Sequence, residues 1–112
     1  MKRGDVVIVS TSGDYGKPRP AVLVQTNTIS DAYPSIIACP ITSTLVDLDF
    51  RISVEPTPSN ELQLPSQIMT DKLIAVPRTK IGRKIGHLTE QDMQRLSGML
   101  VFLLGLAETE GS

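Results

Sequence analysis

Few side chains in this sequence can take a direct part in bond cleavage, and their scarcity restricts the mechanisms open to it. His87 is the only histidine and Cys39 the only cysteine among the 112 residues. Two histidines therefore cannot share the proton transfers of a cleavage reaction, and one cysteine with one histidine cannot make a zinc site. Cys39 follows an apolar run, residues 36–38, which indicates a buried structural thiol. We expect neither a metal nor another cofactor.

An arginine between two prolines is the best candidate for chemistry at a phosphate group. Arg19 lies between Pro18 and Pro20. Its planar guanidinium can hold two phosphate oxygens and stays protonated at every working pH. The prolines stiffen the backbone and so reduce the entropy lost when the side chain is aimed. A loop arginine that only faces solvent is the alternative interpretation.

A hydroxyl and a carboxylate are the next candidates. Thr42 can donate a hydrogen bond to a phosphate oxygen, or it can simply form a turn at a strand end. Asp71 could accept a proton only if its surroundings raised its pKa toward neutrality, and the neighbouring Lys72 acts in the opposite direction. A structural role, in which Asp71 holds Arg19 or a backbone turn, is the alternative.

Charge is unevenly distributed although the net charge is only −1. The polar loop of residues 10–18 contains Lys17, which can hold a phosphate, and Tyr15, which can stack on a base or pack within the loop. Residues 72–89 contain no acidic side chain. One face could therefore bind a polyanion, with an ordinary solvated surface as the alternative. The basic side chains of this segment are Lys72, Arg78, Lys80, Arg83 and Lys84.

Short strands followed by one helix must position these residues. Hydrophobic residues make up 40% of the chain and charged residues 21%, as in a single globular domain over residues 1–112. Six short strands separated by tight turns favour a small barrel over a βαβ sheet. We predict them at residues 6–9, 21–24, 35–42, 50–54, 67–76 and 81–87.

The last segment, residues 89–107, has the apolar spacing of a helix, and Thr89 with Asp92 resembles a capping box. Toward its end the helix is apolar on all sides, so it must pack on the barrel or on a partner subunit; we therefore predict a symmetric homodimer. The sequence shows no signal-peptide pattern and no apolar stretch of membrane-spanning length, so we expect a cytoplasmic protein that does not enter a membrane.

Three segments together resemble the MazF/PemK toxin family: residues 2–7, residues 16–24 with their Arg-Pro signature, and residues 39–43. Residues 68–72 are similar, more weakly, to a fourth family segment. The resemblance implies a mainly β fold, an SH3-like small barrel with a C-terminal α-helix. It also implies a homodimeric toxin that cleaves single-stranded RNA at specific sequences without a metal, and a cognate antitoxin that covers the RNA site.

The resemblance also assigns roles to residues. Arg19 corresponds to the family's catalytic arginine, Thr42 to its active-site threonine, and Asp71 to an acidic position that some members use in catalysis. Three features depart from the family pattern: Lys72 replaces the usual glutamine, Met69 stands where some members have a catalytic arginine, and the loop of residues 11–17 lacks a histidine found in some members. We take the following as candidate substrate-binding residues: Tyr15, Lys17, Ser43 and Lys72.

A second toxin class is also similar. Residues 40–43 and 69–82 resemble CcdB, a gyrase poison of the same fold, but CcdB acts through a C-terminal Trp-Gly-Ile. The corresponding residues 104–106 here are Leu-Gly-Leu. The missing tryptophan and the Arg-Pro signature favour the ribonuclease. A third possibility, a binding module without catalysis, would not require Arg19, Thr42 and Asp71 to converge.

Overall fold

The computed structural model describes residues 1–10 and 17–108, which form a seven-stranded antiparallel sheet followed by one helix. The predicted class, mainly β with a C-terminal helix, is confirmed. The strands are β1 (Asp5–Ser10), β2 (Pro18–Leu23), β3 (Ser35–Thr42), β4 (Ile52–Val54), β5 (Ser66–Ile68), β6 (Ile74–Pro77) and β7 (Ile81–His87). Single 3₁₀ turns at Thr70–Lys72 and Arg78–Lys80 precede β6 and β7, and the helix α1 spans Glu90–Leu103.

The strands are ordered β4-β5-β3-β2-β1-β7, and β6 pairs with the first half of β3. The eight residues of β3 are long enough to serve two partners on one side, β6 along residues 35–38 and β5 along residues 41–42. No ladder joins β7 to β4 or β6 in the described ranges, so the sheet curls without the closed ring of strands that the word barrel implies.

The strand predicted at residues 67–76 is divided into β5 and β6, and the division lies beside Pro40. In a strand, the N–H and C=O of one residue point to the same neighbour. The carbonyl of Pro40 accepts a hydrogen bond from the backbone N–H of Met69 at 2.8 Å, and Pro40 has no N–H to offer on that side. A proline inside a strand requires an edge or a bulge, and the break between two partner strands provides that place for Pro40.

Apolar clusters cover both faces of the sheet, so β1 is buried on both faces. Val6 and Val7 are completely buried and, as successive strand residues, point to opposite faces. Val6 belongs to the cluster covered by α1, in which Leu96 is fully buried. Val7 belongs to a second cluster with Leu23 and residues of β3 and β6. Covering both faces explains why the run at residues 6–9 is continuously apolar instead of alternating.

The helix begins as predicted and ends earlier. Thr89 caps it, since its Oγ1 accepts a hydrogen bond from the backbone N–H of Asp92 at 3.1 Å. Regular α-helix stops at Leu103, and Gly105 then adopts a left-handed φ of 68°. The apolar end of the helix stays exposed within the single chain: 71% of Phe102 and 69% of Leu106 are accessible. No helix within the described ranges is long and apolar enough to cross a membrane.

Candidate active site

A cleft of about 700 Å³ brings together three of the predicted site residues. Arg19 comes from the start of β2, Thr42 from the last position of β3, and Ser43 from the loop that follows. The rest of the wall is mainly apolar and includes Ile8, Pro20, Leu62, Leu64, Met69, Ile74 and Ile85. A cationic and hydroxyl-bearing edge beside an apolar wall suits a ligand that combines phosphates with flat bases.

Strand register brings Arg19 and Thr42 to the same end of the β2–β3 ladder. Arg19 pairs with Val9 of β1, and two residues further along β2, Ala21 pairs with Pro40 of β3. Ala21 is buried whereas Arg19 is exposed, because the strand leaves the core at its first residues. Arg19 is therefore held on a paired strand at a position exposed to solvent.

Thr42 forms a turn at the end of its strand, which was the alternative to a role in binding phosphate. The turn is compatible with such a role. Its Oγ1 accepts a hydrogen bond from the backbone N–H of Thr44 at 3.1 Å. That contact uses an oxygen lone pair and orients the side chain, whereas the hydroxyl hydrogen is not consumed by it. Ser43 is exposed next to it. The end of β3 thus presents hydroxyl donors to the cleft.

Asp71 is not on the wall of this cleft. Its carboxylate accepts two hydrogen bonds from the Arg51 guanidinium, Nε to Oδ1 at 3.1 Å and Nη2 to Oδ2 at 3.2 Å. These hydrogen bonds hold the pKa of Asp71 below its ordinary value, and the partial burial that acts in the opposite direction is outweighed. Asp71 thus holds an arginine, as expected for a structural role, but this arginine is Arg51 and not Arg19.

The other predicted binding residues are not found on the described wall of the cleft. Lys72 is exposed on the 3₁₀ turn after β5, and Lys17 is exposed immediately before β2; neither is among the described residues of the cleft wall. Tyr15 lies outside the described residues. In residues 1–10 and 17–108, no group of three His, Cys, Asp or Glu side chains could hold a metal ion.

Sequence reasoning missed a polar segment that also reaches the cleft. Glu61 and Gln63 line it, and Glu61 has a left-handed φ of 53°. The buried Asn60 holds this turn: its Oδ1 accepts from the N–H groups of Thr57 (2.9 Å) and Leu62 (3.0 Å), and its Nδ2 donates to the carbonyl of Glu55 at 2.9 Å. The turn residues at 56–60 are apparent in the sequence, but the position of the following residues on the wall of the cleft that contains Arg19 is not.

Solved structures of toxins share the fold of this chain. The Mycobacterium tuberculosis toxin MazF-mt6 superposes with a TM-score of 0.78 at 21% identity, over 90% of this chain and 96% of that one. An endoribonuclease in complex with its cognate antitoxin, from a mycobacterial species, superposes with a TM-score of 0.80 at 20% identity, over 95% and 96%. At these identities the likeness establishes the MazF toxin fold.

Sequence similarity then establishes the family. The family described as PemK-like, MazF-like toxin of type II toxin-antitoxin system matches residues 2–104, and the chain belongs to it. A relative named probable endoribonuclease MazF, from Mycolicibacterium smegmatis, is 38% identical over 96% of this chain and 99% of its own length. The endoribonuclease MazF of Staphylococcus saprophyticus is 25% identical over 95% and 92%. These matches confirm the predicted family and favour it over the gyrase poison.

Proposed function

We propose that this toxin is a sequence-specific endoribonuclease that cleaves single-stranded RNA in the cleft between Arg19 and Thr42, without a metal. The observation that carries the proposal is the convergence of these two residues, 23 positions apart in sequence, on one cleft. The relatives named as endoribonucleases support the reaction class. Because the proposed substrate is cellular RNA, we propose a cytoplasmic location.

The reaction that fits these groups is attack by the ribose 2′-OH on the adjacent phosphorus. The P–O5′ bond breaks, the 2′-hydroxyl loses its proton and the leaving O5′ gains one, which yields a 2′,3′-cyclic phosphate and a 5′-OH. Negative charge accumulates on the non-bridging oxygens in the transition state. The Arg19 guanidinium neutralises it through two hydrogen bonds, and the Thr42 hydroxyl donates another. Ser43 contributes a further donor to the same phosphate or to its neighbour.

Asp71 is a weak proton acceptor at neutral pH because its pKa is lowered by the Arg51 pair. The sequence-based prediction that it is catalytic therefore receives no support from its environment. We propose a structural task instead, in which Asp71 holds the chain at Arg51 and Lys72 provides exposed positive charge for the RNA backbone near the cleft.

Cleavage mapping tests the proposal directly. The purified protein is incubated with a mixed single-stranded RNA, and the termini of the products are sequenced and chemically identified. We expect cuts at a defined sequence, cyclic phosphate and 5′-OH ends, and resistance of a substrate with 2′-deoxyribose at the cut. Arg19→Ala should lose activity by about 10²–10³-fold while it remains folded, because the side chain is exposed. Arg19→Lys should also be poor because an ammonium lacks the bidentate fork.

The gyrase poison makes opposite predictions for the same samples. RNA would stay intact, gyrase would be trapped on cleaved DNA, and truncation after Leu103 would abolish toxicity whereas Arg19→Ala would not. That combination of results would overturn the proposal.

We also propose a homodimer, on the basis of the exposed apolar end of α1, where Val101, Phe102, Leu104 and Leu106 are all accessible. Surface of this kind is typically covered by a partner subunit. Light scattering at micromolar concentration should give twice the monomer mass of 12.2 kDa. Phe102→Asp should shift the mass toward the monomer, and a monomeric wild-type protein would contradict the prediction.

The cognate antitoxin is proposed to inhibit by covering the Arg19 cleft with an acidic or apolar segment that folds on binding. Exposed basic side chains of β7 and the preceding turn, Lys80 and Arg83, extend the positive surface. Lys84 is also exposed, but its ammonium is paired with the buried Asp5 carboxylate at 3.2 Å. Salt should weaken the complex. Hydrogen exchange should show protection around the cleft, and protection confined to remote surfaces would refute occlusion.

A further inference from the structure

The side chain of Gln67 makes an unusual pair of hydrogen bonds with the loop that follows β3. Gln67 is buried in β5, with 7% of its surface accessible. Its Oε1 accepts from the backbone N–H of Val46 at 3.1 Å, and its Nε2 donates to the carbonyl of Val46 at 2.8 Å. The amide thus satisfies both polar groups of one backbone residue 21 positions away, as a neighbouring strand would.

The backbone of the same residue holds the other end of that loop. Gln67 is the ladder partner of Thr42, the last residue of β3. A single residue therefore fixes the chain at Thr42 through its main chain and at Val46 through its side chain. The segment between them, which we name the 42–46 turn, contains Thr42, Ser43 and Thr44, and all three line the cleft.

Gln67 is itself rigidly placed. On its other side it pairs with Ser53 of β4, so its backbone lies in the middle of a three-stranded ladder. The next residues of the chain attach the far end of the loop: the Thr70 hydroxyl donates to the carbonyl of Phe50, and Asp71 holds Arg51. Among residues 1–10 and 17–108, the 42–46 turn is thus held by Gln67 of β5 at both ends and by the contact of Thr42 with Thr44.

We infer that Gln67 is a positioning residue of the RNA site, which aims the Thr42 and Ser43 hydroxyls at the phosphate beside Arg19. This inference rests on the proposed ribonuclease function and adds to it a residue that does not line the cleft. Exposed loops without such attachments sample many conformations. Because a displacement of about 1 Å can cost about 10²-fold in rate, an attachment at Val46 is sufficient to affect catalysis.

The test replaces the side-chain amide of Gln67 with an apolar group of similar shape. Gln67→Met is close to isosteric and removes both hydrogen bonds, while the freed groups of Val46 can bind water because Val46 is exposed. The matched control is Gln25→Met: Gln25 is also a buried glutamine, its Oε1 accepts from the backbone N–H of Ile37 at 3.3 Å, and it does not line the cleft. Both variants are compared with wild type in urea unfolding and in RNA cleavage kinetics.

We expect Gln67→Met to lower kcat by about 10- to 100-fold with a much smaller change in KM, and to accelerate hydrogen exchange at the Val46 amide. Gln25→Met should cleave at the wild-type rate even if it is equally destabilised. A Gln67→Met protein with wild-type kcat would overturn the inference, and so would an equal loss of kcat in both variants.

A second variant keeps the test decisive if Gln67→Met folds poorly. In Gln67→Glu the introduced carboxylate can accept from the Val46 N–H but cannot donate to its carbonyl. Protonation restores the donor, so the ratio of the variant's rate to the wild-type rate should rise as the pH falls toward the pKa of the carboxyl group. A ratio independent of pH would refute a positioning role. A wild-type protein that leaves RNA intact would instead refute the proposed function, so the two failures are distinguishable.

Discussion

Asp71→Asn separates a structural role for Asp71 from a catalytic one. The wild-type carboxylate forms a two-point pair with Arg51, whose side chain is 9% exposed, whereas that of Asp71 is 25% exposed. The substitution keeps the shape of the side chain but removes its charge and reverses one hydrogen-bonding group. Arg51 is then left with a poorer partner in a largely desolvated position. Since Asp71 remains partly in water, we expect a loss of about 1 kcal/mol in the free energy of unfolding.

The same pair predicts how stability depends on pH. Arg51 lowers the pKa of Asp71 in the folded protein relative to the unfolded chain. The stabilisation is therefore fully present above the ordinary pKa of an aspartate and is lost as the pH falls through the lower, folded-state value. Wild type should lose stability relative to Asp71→Asn across this acidic window, and the difference between them should be constant near neutral pH.

Urea unfolding of Asp71→Asn, Arg51→Ala and the double variant measures the coupling, which we expect to be about 1 kcal/mol. In RNA cleavage, Asp71→Asn should retain activity within about tenfold and keep the wild-type pH profile, because a carboxylate with a lowered pKa is a poor base. A variant of unchanged stability that loses more than about 100-fold in kcat, together with the acidic limb of the profile, would refute this reasoning. Asp71 would then be the catalytic proton acceptor.

Three further outcomes are expected. Gly86→Ala should lower the free energy of unfolding by about 3 kcal/mol or more, measured by thermal unfolding, because a Cβ there would lie 2.2 Å from the Ser59 carbonyl oxygen. The matched variant Gly98→Ala in α1, whose Cβ would meet nothing within 4 Å, should stabilise the protein by about 0.5–1 kcal/mol. Equal effects of the two variants would contradict the close packing of Gly86 against Ser59. Cys39 should resist thiol reagents in the native protein, since burial raises its pKa to about 12, and should react on unfolding; rapid native labelling would argue against the buried position. EDTA should leave RNA cleavage unchanged because, in the proposed mechanism, the Arg19 guanidinium and not a metal ion neutralises the charge of the transition state. Activity lost to EDTA and restored by a divalent ion would contradict a metal-independent mechanism.

Features with a local physical cause were predictable from sequence. The continuous apolar run at residues 6–9 marks a strand buried on both faces, and Thr89 with Asp92 marks the start of α1, because both signals depend on neighbours a few residues away. Burial of Cys39 followed from its apolar flanks. The Arg-Pro signature indicated the family, and the resemblance to that family led to the expectation that Arg19 and Thr42 share a site.

The tertiary structure alone decided which remote residues meet. The pairing of Asp71 with Arg51, 20 positions apart, and of Gln67 with Val46, 21 positions apart, leaves no trace in any periodicity, because side-chain hydrogen bonds are formed only after the sheet has brought the strands together. The break beside Pro40 likewise depends on which strand lies opposite it. Local propensities thus determined which segments became strands and helix. The order and register of those strands determined that Arg19 would stand beside the hydroxyls of the 42–46 turn and that Asp71 would not.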